Sequence, residues 1–182
     1  YSPKSFAGEC HIIRARFATP EEIAARRNLA LNPYDEHGDT GFYPHASANV
    51  ETRGEAVFAA RNAVDGLYEN DGHGVWPYQS WGINRDPNAA LTLDFGRRVT
   101  VDELRLTLRA DFPHDSWWTQ AAVQFDDGST EVLALEKTAA PQRFAIAPRT
   151  VTRLVLCELK KADDPSPFPA LTQIEAWGVE AQ

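Results

Sequence analysis

From Ala46 to the C-terminus the chain is a succession of short apolar alternations separated by turn residues, and this pattern restricts the fold more than any other feature. Leu104, Leu106 and Leu108 alternate with Arg105, Thr107 and Arg109, the period of a strand with its leucines inward and its polar side chains outward. Comparable runs lie at 48–51, 91–95, 101–109, 119–125, 130–135, 143–147, 151–159 and 171–177. Short strands following one another without intervening helices point to an antiparallel sandwich rather than a parallel sheet. Eight strands is the number of a jelly roll. The sequence therefore predicts an all-β, jelly-roll β-sandwich. The clearest hairpin centres on Asp126, Asp127, Gly128 and Ser129, where glycine can take a positive φ.

The first 44 residues read differently. Residues 11–17 have the pattern of one strand. Thr19, Pro20, Glu21 and Glu22 form a capping box with proline at the first helical position, which predicts a helix from about Pro20 to Ala30. Asn32 and Pro33 end it, and 33–44 has no periodicity. Residues 1–44 are thus expected to form a short N-terminal strand-and-helix extension, too small for a core of its own, packed on a main domain at 45–182.

Composition narrows the partners. The 182 residues are 43% hydrophobic and 24% charged, ordinary values for a folded domain. No run approaches the roughly 20 apolar residues of a membrane-spanning helix. No signal peptide opens the chain, but it begins at Tyr1 and contains no methionine, as expected if its natural start lies upstream, so its compartment stays open. A net charge of −8 disfavours nucleic acid and anionic membranes, which are bound through Lys and Arg. A neutral ligand fits better. Cys10 and Cys157 are far apart and lack the spacing of a zinc site; Cys157, within an apolar run, reads as a small buried hydrophobe.

One loop concentrates chemistry. Residues 109–120 bring together Arg109, Asp111, His114, Asp115, Trp117 and Trp118 just where Pro113 ends a strand pattern. Adjacent indoles on extended backbone face opposite ways, so at least one of Trp117 and Trp118 is expected near the surface. Loops on a rigid scaffold are where binding residues collect.

Several short motifs carry a family resemblance in order along the chain. These are Ala46 to Asn49, Ala60 to Gly66, Ser80-Trp81, Leu93 to Gly96, Phe125 to Ser129 and Gln173 to Gly178. Together they resemble the F5/8 type C, or discoidin, family, which includes the family 32 carbohydrate-binding modules. The resemblance spans 46–178 and leaves the first 44 residues outside. It implies a jelly roll whose loops at one end hold a sugar, often of galactose type, or in animal relatives phospholipid or protein. In the sugar-binding members one or two aromatic rings act with a few Arg, His, Asn or Asp side chains. The chemistry is reasonable, since a pyranose packs its C–H face on a ring while guanidinium and carboxylate groups engage its hydroxyls.

Three stretches are candidates to supply such groups: 73–85, 109–118 and 160–169. From them the expected ligand contacts are Trp76, Tyr78, Asn84, Arg109, Asp111, His114, Trp117, Trp118 and Lys160. Trp81 and Trp177 are read as packing residues. The resemblance also implies a structural calcium near the turn at Asp65, with Asn70 and Asp71 able to add oxygen ligands. Where the family has a glutamate, this chain has Gln173, which would offer a neutral carbonyl and a weaker site. No serine elbow, metalloprotease motif or phosphate loop is present, and Asp111, His114 and Asp115 on a polar loop lack the burial that perturbs a catalytic pKa. The reading is a non-catalytic glycan-binding module. Its alternative is a protein- or membrane-surface-interaction module using the same aromatic loops.

Overall fold

The alternating segments build a sandwich of antiparallel strands in the computed structural model, which describes residues 8–12, 14–38, 41–68, 78, 80–110 and 116–181. The strands are β1 (Arg27–Asn28), β2 (His45–Ala48), β3 (Trp81–Gly82), β4 (Leu91–Leu108), β5 (Trp118–Phe125), β6 (Thr130–Ala134), β7 (Gln142–Lys161) and β8 (Ala170–Glu180). They are hydrogen-bonded in the order β1-β8-β4-β7-β5-β6, with β2 beside the start of β4 and β3 beside the start of β8. All these pairings are antiparallel.

Two pairs of expected strands are single strands. Segments 91–95 and 101–109 join through Gly96, which sits at φ 67 and whose N–H donates to Asp94 Oδ1 at 2.7 Å. The register against β7 shifts across this point, so the ladder runs through a bulge rather than ending. Segments 143–147 and 151–159 join in the same way: Pro148 lies between the partners of Val101 and Glu103, where β7 carries unpaired residues and a missing N–H costs nothing. A change in local polarity resembles a strand end in sequence, but a bulge tolerates it.

The core follows the alternation. Leu91, Leu93, Phe95, Val99, Val101, Leu104, Leu106 and Leu108 of β4 pack with Val123, Leu154, Leu156, Leu171 and Ile174. Burying each such side chain contributes about 1.5–3 kcal/mol. Trp81 is fully buried with its indole N–H donating to Val50 O at 2.9 Å, the packing role expected of it. Trp177 is half-buried between the Arg105 and Arg26 guanidiniums, at 4.2 and 5.5 Å from its ring centre. The hairpin at Asp126–Ser129 closes as expected, with Gly128 at φ 85 and its N–H donating to Phe125 O at 3.0 Å.

The N-terminal region departs from expectation. The capping box at Thr19 forms, but the helix α1 (Pro20–Ala24) is only five residues long and buries none of them. A helix without an apolar face against the core is marginal at this length. The chain instead turns into β1, pairs Arg27 and Asn28 with Gly178 and Trp177, and places Leu29 and Ala30 in the core. Residues 14–17 are exposed and form no strand. Cys10 and Cys157 are both free.

Two stability measurements test this packing. At Gly178 an added Cβ would lie 1.9 Å from the Thr100 carbonyl oxygen of β4, so Gly178→Ala should lose about 3 kcal/mol in urea unfolding. An unchanged midpoint would contradict the close approach of β8 to β4. Trp118 is 1% exposed and Trp117 only half-buried, so Trp118→Ala should lose about 3–5 kcal/mol, with a clearly smaller loss for Trp117→Ala. Equal losses would place both indoles in the core.

Candidate functional site

The end of β4, the start of β8 and the turn after β3 meet around a cleft of about 310 Å³. Its walls are Thr52, Arg53 and Phe58 on one side, Gly82 to Arg85 on another, and Arg109 with Phe168 to Ala170 on the third. The segments are fastened to each other. Asn84 N–H donates to Thr52 Oγ1 at 2.9 Å, and Arg109 N–H donates to Ala170 O at 3.0 Å. Gly82 permits this contact, because a Cβ there would meet Thr52 Oγ1 at 2.8 Å and Phe58 at 2.9 Å.

Backbone strain collects at the rim. Among the described residues four that are not glycine have positive φ, and three of them line this cleft: Arg53 at 56°, Asn84 at 50° and Arg85 at 61°. Such residues cost energy and persist where surrounding structure holds them, which is typical of binding sites. The rim is aromatic and cationic. Phe168 is 60% exposed with the Arg85 guanidinium 5.6 Å from its ring centre, and Arg53 lies 5.4 Å from Phe58. Arg53 is also paired with Glu55, whereas Arg85 forms no ion pair among the described residues.

Arg109 corrects an expectation. Its phase opposite Leu104, Leu106 and Leu108 predicted an outward side chain, yet it is 5% exposed. Ser80 lies over this end of β4, with its Oγ 3.4 Å from Arg109 Nη1. Outward from the core here means into the cleft. A shallower groove beside it, about 250 Å³, shares Ile83, Arg85 and Pro169 and adds Asp86, Trp118, Leu159 and Lys161. Trp118 Nε1 and Ser116 Oγ are buried at this end without a hydrogen-bond partner among the described residues, and Ser116 bridges to Pro169.

The other expected contacts are dispersed. Arg109 and Asn84 share the cleft, and Trp118 lines the adjoining groove. Tyr78 lies in a separate hollow with His37, Glu51, Arg61 and Asn62. Lys160 is exposed and donates to Gln120 Oε1 at 3.2 Å, away from both cavities. Trp117 packs against the core and its carbonyl accepts from Ala162 N–H. Trp76, Asp111 and His114 lie outside the described residues, as does Asp115. Phe58, Arg53, Arg85 and Phe168 also line the cleft and were not among the residues expected from the sequence. Arg85 and Phe168 fall inside two of the three stretches singled out, but Arg53 and Phe58 carry no signal beyond their residue type.

The turn expected to hold calcium has a different occupant. Gln173 is 2% exposed and does not aim its carbonyl inward: Oε1 accepts from Gly66 N–H at 3.0 Å. Its Nε2 faces Asn62 O at 2.8 Å, Asp65 Oδ1 at 2.8 Å and Leu67 O at 3.2 Å. The described residues of this turn therefore do not fit a cation, since an amide nitrogen stands among the oxygens that would bind it. Asn70 and Asp71 lie outside the described residues, and no cluster of three His, Cys, Asp or Glu side chains occurs among the described ones. Burial pushes the Asp65 carboxyl up to about 6, opposed by the Leu67 N–H and the Gln173 amide. On the same face of β8, Tyr68 Oη and Trp177 Nε1 donate to Glu175 at 2.8 and 2.6 Å.

No family model and no curated protein matches the chain in sequence. Solved structures do match in fold. Chitosan-binding module 1 from a chitosanase/glucanase of Paenibacillus sp. IK-5 superposes with a TM-score of 0.54 at 19% identity, covering 84% of this chain and 99% of that one. The family 32 carbohydrate-binding module of C. perfringens NanJ, solved with galactose, gives a TM-score of 0.54 at 16% identity, over 72% and 91% of the two chains. The lectin domain of lectinolysin, solved with Lewis B antigen, gives 0.58 at 15% identity, over 86% and 98%. These neighbours are binding modules, each spanned almost completely. The chain has the β-sandwich fold of the F5/8 type C domains and family 32 carbohydrate-binding modules.

Proposed function

We propose that the chain is a non-catalytic glycan-binding module and that the sugar lies in the cleft between Phe58, Asn84, Arg85, Arg109 and Phe168. The observation that carries the reading is the combination at one concave place of an exposed ring, guanidiniums and three strained residues. A pyranose ring can cover Phe168 with its C–H face, the interaction an exposed aromatic on a polar rim offers. Arg85 presents a planar N–H fork, and Asn84 an amide, to neighbouring hydroxyls, while the buried Arg109 forms part of the cleft wall. The left-handed backbone at Arg53, Asn84 and Arg85 sets the course of the rim before the ligand arrives, which lowers the ordering cost of the backbone on binding.

The described lining supplies guanidiniums, an amide, a hydroxyl and rings. Arginine keeps its proton at any ordinary pH, so this set binds rather than transfers protons. The glycan complexes of structural neighbours support the same class of ligand. A concave site with convergent polar groups favours sugar over the flat apolar patch a protein or lipid surface would need.

A glycan array probed with the isolated chain should show binding confined to one sugar class. Silence across a broad array would transfer the assignment to the protein- or membrane-surface reading. With the best-binding sugar, Phe168→Ala and Arg85→Ala should each weaken affinity about tenfold or more, equivalent to about 1.4 kcal/mol. Both residues are exposed, so unfolding free energy should change by about 0.5 kcal/mol or less. Normal affinity in both variants would remove the sugar from this cleft.

A further inference from the structure

Gln173 makes four hydrogen bonds with one turn. Its NH2 group faces three oxygens, Asn62 O, Asp65 Oδ1 and Leu67 O, while its carbonyl accepts from Gly66 N–H. The orientation is forced by chemistry. A rotated amide would set its NH2 against the Gly66 N–H and its oxygen against three acceptors, losing every bond. Gly66 itself stands at φ 81, a left-handed conformation that suits glycine and turns its N–H toward the Gln173 carbonyl.

Two backbone carbonyls and a carboxylate converging on one point are a donor set for a hard divalent cation. Here the point is filled by a nitrogen, at 2.8 to 3.2 Å, distances of N–H···O bonds. A calcium ion would need its oxygens at about 2.3–2.6 Å around the same centre. Nitrogen and cation exclude each other.

We propose that the Gln173 amide is a built-in substitute for a divalent cation. Its partial positive N–H pair gathers the oxygens of turn 62–67 onto β8, so the turn keeps its shape without metal. One substitution should reverse this. Gln173→Glu removes the N–H donors and sets a second carboxylate beside Asp65, which repels in the absence of metal and completes a calcium site in its presence.

Thermal midpoints in EDTA and in millimolar calcium test the idea. The wild type should be unchanged between the two, Gln173→Glu should fall below it in EDTA and rise by several degrees with saturating calcium, and Gln173→Ala should fall without responding. A saturable calcium-dependent rise in the wild type would overturn the proposal, because the amide would then be yielding its place. So would a Gln173→Glu variant that folds yet ignores calcium, because the oxygens would then not converge. If that variant is insoluble in both buffers, proton–nitrogen spectra of the wild type decide: the Gln173 side-chain NH2 should exchange slowly and not shift with calcium. A rapidly exchanging or calcium-shifted NH2 would overturn the assignment.

Discussion

The pairing of β8 with β4 is the contact on which the rest of the structure depends. Their ladder runs from Val99 opposite Glu180 to Leu108 opposite Leu171, and the backbones approach so closely at Gly178 that no side chain fits. Leu171, Ile174 and Ala176 close the core from one face of β8, while Gln173 and Glu175 face outward and are nevertheless buried. A strand covered on both faces must satisfy polar groups on the outer one, because an unpaired buried polar atom costs about 1–3 kcal/mol. Those polar groups hold the cover itself: Gln173 gathers residues 62–67, and Glu175 takes the Tyr68 hydroxyl.

The cover in turn positions the cleft. The short 3-10 turns between Thr52 and Ala63 lie over the sheet, with Asn62 Nδ2 donating to Ser80 O and Glu51 Oε1 accepting from Ala60 N–H. Ser80 leads into β3, and the turn after β3 presents Asn84 and Arg85. A buried amide network on one side of the molecule is thus continuous with the strained rim on the other. Walls already in place lower the ordering cost of any ligand the cleft takes.

Surface charge is organised around the same strand. Glu180 near the end of β8 binds both Arg27 and Arg97, and Arg105 lies over Trp177 while pairing with Glu103. Exposed ion pairs contribute little individually. Their effect here is local, since they cover the half-buried Trp177 ring with the apolar planes of two guanidiniums and keep a large aromatic in the last strand out of full contact with water.

The sequence by itself determined the class of the fold and the inner face of its main strands. A period of two survives in any tertiary setting that buries one face, so Leu104, Leu106 and Leu108 were legible as core and the Gly128 turn as a hairpin. The motif order made the discoidin-like sandwich recognisable before any coordinate. Only the tertiary structure decided what covers the outer face. Arg109 looked outward by phase, yet in a sandwich overlaid by loops the outer side of β4 is a cleft wall. The length of α1 and the two-residue strands β1 and β3 were equally hidden, because five residues hold little more than one helical period and two residues a single strand period, too few for a pattern to repeat. The direction of the Gln173 amide was beyond reach for a related reason: it depends on oxygens more than 100 positions away in sequence, brought to one point only when the turn at 62–67 closes onto β8.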